Sequence, residues 1–434
     1  MTEALARAAY ALLLRGATPI YLLRLWWRGR REAGYRQHLG ERLGFFDGEV
    51  AAGRLWLHAV SLGETRAAVP LIDELRRQRP GLQLLLTHGT ATGREAGRTL
   101  LREGDVQAWL PYDTPGAVRR FLKRHRPLAG VVMETEVWPN LMVGAQAAGV
   151  PMLLANARLS ERSRRKGERL RALMHPALAR FTQVLAQTEG DAQRLRASGA
   201  ADVRVLGNLK FDMTPKPELL ARGKAWRAAL GRPVVLAAVT REGEEGPLLR
   251  AFAAQTAARP GLPPLLLLVP RHPQRFDEVA VDITAAGFAL ARRSAWRDAP
   301  DETALRADVW LGDSLGEMPL YYACADVALL GGSFAPLGGQ NLIEAAACGC
   351  PLVMGPHTFN FADAAELSIA AAAAERVDGI ETGVARALVI AGEAGQDSQR
   401  QRVQQALAFA GQHRGAAERM AQAVLAVLAH VPVR

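Results

Sequence analysis

Two series of short apolar runs, each alternating with stretches of helical spacing, constrain the fold of this chain more tightly than any other feature. A strand covered on both faces has no solvent side, so it reads as a continuous apolar run. Such runs between helical patterns indicate parallel sheets flanked by helices. The first series comprises Leu55–Ala59, Leu82–Thr87, Val106–Leu110, Leu128–Met133, Met152–Ala155, Val184–Ala186 and Val203–Leu206. The second comprises Val234–Ala237, Leu265–Val269, Val327–Leu330 and Leu352–Met354, with weaker runs near Phe288–Ala291 and Val309–Leu311. Gly207–Pro217, with its prolines and lack of either period, reads as the linker between them. The fold class is therefore α/β, with two doubly wound, Rossmann-like halves. Ligands of such sheets bind beyond the carboxyl ends of the strands, which predicts a functional cleft straddling the linker. The helical pattern from Ser398 to Ala429 is expected to carry the last helix back onto the first half.

With 54 Lys and Arg against 43 Asp and Glu in 434 residues, the net charge of +11 biases the surface toward anionic partners. Part of the excess lies near the start, where Arg24, Arg28, Arg30 and Arg31 surround Trp26 and Trp27. That mixture suits a membrane interface better than a nucleic acid. Arg15, Pro19 and Arg24 interrupt the apolar residues there, so no run of about 18 residues exists to span a bilayer. Residues 1–35 are read as an interfacial membrane anchor, the alternative being an amphipathic helix packed on its own domain. No export signal is evident, which places the protein on the cytoplasmic side. Cys324, Cys348 and Cys350 form neither a disulfide nor a zinc framework and read as small buried apolar groups. The nine histidines show no ligand spacing, so no metal site is expected.

Candidate chemistry collects where strands end. His58–Thr65 runs from a strand through Gly63 into a helix, placing Glu64 at the helix start, where the dipole is expected to favour its ionised form. A carboxylate there is either a general base for a positioned hydroxyl or a plain helix-start residue. Glu134 and Glu136 follow the next strand of that region, and Asn156 and Arg158 the one after. In the second half, Thr240 and Arg241 open a helix, and Arg271 and His272 follow a strand where an arginine can grip a phosphate. Gly316, Glu317 and Met318 form a further polar loop. From Val327 to Pro356 a strand leads through Gly331, Gly332, Gly338 and Gly339 to a helix opening at Gln340 and Asn341. Backbone N–H groups at such a junction are expected to receive a phosphate, with Glu344 placed to bind a ribose. The glycine spacing matches neither a dinucleotide fingerprint nor a P-loop.

In order along the chain, HAVSLGE, ETEVWPN, NARLSERS, GNLKFD, TREGEE, PRHPQRF, LGDSLGEM and GGSF with GGQNLIEA resemble the 3-deoxy-D-manno-octulosonic acid (Kdo) transferases of lipopolysaccharide assembly. The resemblance covers nearly the whole chain. It implies a GT-B glycosyltransferase, inverting and metal-independent, that moves Kdo from CMP-Kdo to a lipid A precursor without a cofactor or nucleic acid. It implies a location at the inner membrane, on the cytoplasmic face. On this reading residues 1–35 anchor, 36–209 form the acceptor domain, 210–217 the linker, 218–397 the donor domain and 398–434 a helical tail. Glu64 is the implied base, with Glu134, Glu136, Asn156 and Arg158 on the acceptor side. Thr240, Arg241, Arg271, His272, Gly316, Glu317, Met318, Asn341 and Glu344 are the implied CMP-Kdo set. Ala238-Val239 departs from the family, which more often has a small polar residue there, and puts one donor hydrogen bond in question. The rival readings are a GT-B enzyme for another nucleotide sugar and a basic, non-catalytic membrane- or nucleic-acid-binding protein.

Overall fold

The computed structural model describes residues 2–30, 32–47, 52–257 and 263–431, so Arg31 of the basic cluster and 432–434 of the expected tail lie outside the described residues. The chain divides into two compact units, Met1–Asp212 with Arg414–Arg434, and Met213–His413. Each contains one parallel sheet of seven strands.

In the first unit the strands are β1 (Leu55–His58), β2 (Leu84–His88), β3 (Val106–Trp109), β4 (Ala129–Met133), β5 (Met152–Ala157), β6 (Gln183–Ala186) and β7 (Val203–Val205). Their spatial order is β3-β2-β1-β4-β5-β6-β7. Alternate residues of β1 serve opposite faces. Leu55 and Leu57 join Leu71, Ile72 and Leu75 of the Leu62–Gln78 helix, whereas Trp56 packs with Phe121 and Leu122 on the other side. Full burial of each such side chain stabilises the fold by about 1.5–3 kcal/mol. Every residue of β1 is buried, which is why this strand shows no polar alternation.

The second unit holds β8 (Val234–Thr240), β9 (Leu265–Pro270), β10 (Leu290–Arg292), β11 (Val309–Leu311), β12 (Val327–Leu330), β13 (Leu352–Met354) and β14 (Ala374–Arg376). Their order is β10-β11-β9-β8-β12-β13-β14. Sequence pattern does not reveal β14, because two of its three residues are charged.

The expected helical tail is divided between the units. Its Asp397–Gln412 helix belongs to the second, burying Ala406, Phe409 and Ala410, and only the Ala416–Ala429 helix returns to the first. There Met420, Val424 and Leu428 complete the core against the Leu62–Gln78 helix. The expected linker is also partly structured. Leu209–Asp212 forms a 3-10 turn with Leu209 and Phe211 buried, and Asp212 accepts the N–H groups of Gly415 at 2.5 Å and Ala417 at 2.6 Å. A carboxylate at a helix start satisfies donors that the helix itself cannot. Asp212→Ala is expected to destabilise the first unit by about 1–2 kcal/mol, read as faster hydrogen exchange in residues 416–429 and an earlier denaturation midpoint; an unchanged midpoint would mean that apolar packing alone holds this helix.

Candidate active site

Chain order reverses between β1 and β4, and the loops leaving those two strands diverge at their carboxyl ends. Such a switch point is where doubly wound sheets bind ligands. Ser61 caps the Leu62–Gln78 helix and accepts the Glu64 N–H at 3.3 Å. In return Glu64 accepts the Val60 N–H on Oε2 at 2.7 Å and the Ser61 hydroxyl on Oε1 at 3.2 Å. This reciprocal bonding, with the Val60 N–H just ahead of the N-cap and the Ser61 hydroxyl, fixes the carboxylate against the end of β1. The sign of its proton affinity is opposite to the sequence expectation. Burial pushes the Glu64 pKa up to about 7, against the Val60 N–H that lowers it, and the Glu134 and Glu136 carboxylates raise it further. Desolvation and like charge here outweigh the helix dipole.

Glu134 follows β4 in the left-handed region, at φ 60, with its N–H bonded to Ala155 O at 2.9 Å. Its carboxylate lies 3.9 Å from Lys210 Nζ. Glu136 is half-buried, and burial together with Glu134 raises its pKa as well. Asn156, also left-handed at φ 52, is fully buried at a register shift between β5 and β6. Its Oδ1 accepts the Leu209 N–H at 3.0 Å and its carbonyl accepts Gln187 Nε2 at 2.9 Å. Asn156 therefore pins the segment that presents Lys210. The Arg158 N–H bonds Glu134 O at 3.3 Å, bracing the same strand end. Glu64, Glu134, Glu136 and Lys210 form one charged cluster, and Asn156 supports it through the backbone.

In the second unit the reversal falls between β8 and β12. The glycine-rich loop after β12 does not hold its first N–H groups open for a phosphate. The carboxylate of Glu244, 4% exposed, accepts Gly332 N–H at 2.7 Å and Arg241 N–H at 2.9 Å on Oε2, and Phe334 and Ala335 N–H at 3.2 and 3.3 Å on Oε1. Four charge-assisted bonds close this part of the loop on an internal anion. Sequence reasoning passed over Glu244. The available signal was the three carboxylates of TREGEE, Glu242, Glu244 and Glu245, crowded at a helix start. Gly331 must be glycine, because a Cβ would lie 2.3 Å from Val239 O, and Val239 itself is left-handed at φ 60.

Beyond the closed segment, Gly338 and Gly339 adopt φ 90 and 75, and Asn341 caps the Leu342–Ala347 helix by accepting the Ile343 N–H at 3.2 Å. Glu344 lies in the first turn of that helix. Thr240 donates to Glu245 at 2.8 Å, and Arg275 pairs with the same carboxylate at 2.8 Å. Arg271 and His272 are exposed after β9, with the Arg271 N–H bonded to Thr240 O at 2.9 Å. Burial, then Arg241, Arg271 and Arg275, hold His272 below the usual histidine range. Thr240, Arg241, Arg271 and His272 thus share the ends of β8 and β9. Glu317 has a bracing part, taking Arg293 bidentately at 2.9 Å and the Ser314 hydroxyl at 2.6 Å. Gly316, at φ 80, precedes it and Met318 begins the following helix, all on the loop after β11. Among the described residues no cluster of three or more His, Cys, Asp and Glu side chains is arranged for a metal ion.

The architecture is similar to a glycosyltransferase of Rickettsia africae, with a TM-score of 0.57 at 12% identity, covering 89% of this chain and 99% of that one. It is likewise similar to HepE of Anabaena solved in complex with UDP, with a TM-score of 0.55 at 16% identity, covering 87% and 99%. Two doubly wound domains of this kind are the GT-B fold. Residues 37–213 match the family described as 3-deoxy-D-manno-octulosonic-acid transferase (kdotransferase). The 3-deoxy-D-manno-octulosonic acid transferase of Bordetella pertussis is 49% identical over 97% of this chain and 99% of its own length, and that of Haemophilus influenzae is 35% identical over 82% and 83%. The chain belongs to the 3-deoxy-D-manno-octulosonic acid transferase family.

The Glu64 carboxyl, with a pKa of about 7, is ionised above that pH and protonated below it. Glu136→Gln removes one like charge, so the acid limb of the pH–rate profile of sugar transfer is expected to move to lower pH. An acid limb that stays in place in this variant would show that another group controls it.

Proposed function

We propose that the protein transfers Kdo from CMP-Kdo to a hydroxyl of a lipid A precursor, inverting the anomeric carbon without a metal, at the cytoplasmic face of the inner membrane. The observation that carries this reading is Glu64, fixed by the Val60 N–H and the Ser61 hydroxyl at a switch point and raised to a pKa of about 7. A carboxylate so poised accepts a hydroxyl proton near neutrality and still exists as base. As the acceptor O–H gives its proton to Glu64, the oxygen bonds to the anomeric carbon of Kdo. The bond from that carbon to the CMP phosphate breaks, and the electron pair leaves with CMP. Arg271 and Arg241 would stabilise the charge that grows on the departing phosphate. Gln340 and Asn341 at the helix start offer the backbone approach for the nucleotide, since the preceding N–H groups of Gly332, Phe334 and Ala335 belong to Glu244 and that of Gly339 to the Gly332 carbonyl. Lys210 beside Glu134 limits the repulsion between the acceptor-side carboxylates.

Mass analysis after incubation with CMP-Kdo and a tetraacylated lipid A precursor tests donor, acceptor and number of additions together. Glu64→Gln is expected to slow transfer by about a hundredfold or more while CMP affinity by calorimetry stays near native. Native transfer by that variant would remove Glu64 from the mechanism.

The membrane part of this reading is supported by the first helix, Glu3–Arg28. Leu5, Leu12, Ile20, Leu23 and Trp27 recur at helical spacing and are 62–71% exposed, while Ala6 and Ala11 on another side are buried. The helix thus packs on its own unit and also presents an apolar stripe edged by Arg15, Arg24 and Arg28, as interfacial helices do. No helix among the described residues is long and apolar enough to cross a membrane. Replacing Leu12, Ile20 and Leu23 by Glu is expected to abolish flotation with anionic liposomes and leave the melting temperature unchanged; retained flotation would refute the interfacial role.

A further inference from the structure

On the first unit, the Pro115–His125 and Pro139–Ala147 helices leave between them a cavity of about 680 Å³ that no part of the transfer reaction uses. The volume lies in the range of small-ligand sites. On one helix Val118 and Leu122 line it, and on the other Val143, Gly144 and Ala147, each set at the three- and four-residue spacing of a single face. The helices approach closely at Gly144, where a Cβ would lie 2.6 Å from Val118 Cγ1. Beside that contact the cavity is apolar, and the lining side chains Val118–Leu122 and Val143–Ala147 each span about 6 Å of helix at 1.5 Å per residue.

The rim of this cavity is cationic. Arg119, Lys123 and Arg126 stand along one edge, Arg7 of the first helix also lines it, and no Asp or Glu is among its lining residues. No ion pair engages Arg119, Lys123 or Arg126 among the described residues, and Arg7 reaches only Glu3, at 4.0 Å. A free phosphate would use the rim and leave the channel empty. A neutral hydrocarbon would fill the channel and leave the cations unmatched. An acyl chain with an anionic headgroup satisfies both. Arg7 belongs to the first helix but stands about 200° around it from Leu5, so the groove meets that helix on the side that packs on the unit and not on its exposed stripe.

We propose that this groove binds one anionic phospholipid of the membrane, its acyl chain along Val118, Leu122 and Ala147 and its phosphate against Arg119 and Lys123. The inference draws on the membrane reading and is independent of which sugar is transferred. It is tested on the full chain, without CMP-Kdo, by native mass spectrometry after equilibration with phosphatidylcholine vesicles with and without phosphatidylglycerol. One retained phosphatidylglycerol per chain and no retained phosphatidylcholine is the expected result. Ala147→Trp fills the channel from an exposed position and is expected to lose the lipid while still floating with the vesicles through the first helix. Arg119→Glu/Lys123→Glu, at two exposed positions, provides an arm that leaves the channel itself intact and is expected to weaken retention about tenfold or more. Retention of phosphatidylcholine equal to phosphatidylglycerol, undiminished retention in both variants, or no retained lipid in the native chain would each overturn the proposal. Loss of flotation by the Leu12, Ile20 and Leu23 variant, with or without lipid retention, reports separately on the interfacial helix.

Discussion

Parallel pairing of β1 with β4, in register from Leu55↔Ala129 to His58↔Val132, and of β8 with β12, from Val235↔Val327 to Ala238↔Leu330, sets what the rest of each unit can do. In both pairs the chain leaves the two strands in opposite directions. No crossover helix can then cover their carboxyl ends, and whatever residues follow those strands are brought side by side. In the first unit the residues that follow are acidic, so the topology itself places Glu64 within electrostatic range of Glu134 and Glu136. In the second unit they are Glu244 after β8 and glycines after β12, and the result is a loop closed by a carboxylate from the neighbouring strand end. The two glutamates differ in their company. Glu244 commits its oxygens to four backbone donors and serves the fold, whereas Glu64 has two donors and two like-charged neighbours and remains able to take up a proton.

The same strand ends hold unusual backbone. Glu134, Asn156 and Val239 all take positive φ, a conformation that side-chain-bearing residues adopt at a cost of order 1–3 kcal/mol. Each is held there by tertiary structure: Glu134 by the Ala155 carbonyl, Asn156 by the Leu209 N–H it captures, and Val239 by Gly331 crossing its carbonyl. Val239 also marks a change of register along its strand. Its side chain sits at a bulge of β8 against β9, so the residue shapes the backbone that delivers Thr240 and Arg241.

Much of the fold was legible because fully covered strands carry a signal that no exposed segment imitates. β1, β4, β8 and β12 read directly as unbroken apolar runs. β14 did not, since Glu375 and Arg376 leave it without such a run, and the split of the expected tail did not, because one helical pattern does not say which core will receive it. At the site, strand-end position was legible and electrostatic state was not. A capping residue seen in sequence carries only its helix dipole; the burial and the two carboxylates that reverse the sign for Glu64 come from a strand some seventy residues away. Glu317 and Asn156 read as polar residues at strand ends, and their protein partners Arg293 and Leu209 lie far off in sequence. Polar residues after a strand bind either a ligand or the protein, and only the partner distinguishes the two.

The return of the Ala416–Ala429 helix to the first unit also bears on how the protein is made. The second unit, Met213–His413, is one uninterrupted stretch, but the first is interrupted by all of it. During synthesis the first sheet emerges early with Leu71, Ile72 and Leu75 on a face that Met420, Val424 and Leu428 have not yet covered. The portion translated second can therefore finish folding before the portion translated first. Until residues 416–429 clear the ribosome, the first unit displays an apolar strip that a chaperone can hold, and a ribosome stalled before that point leaves it permanently unsealed.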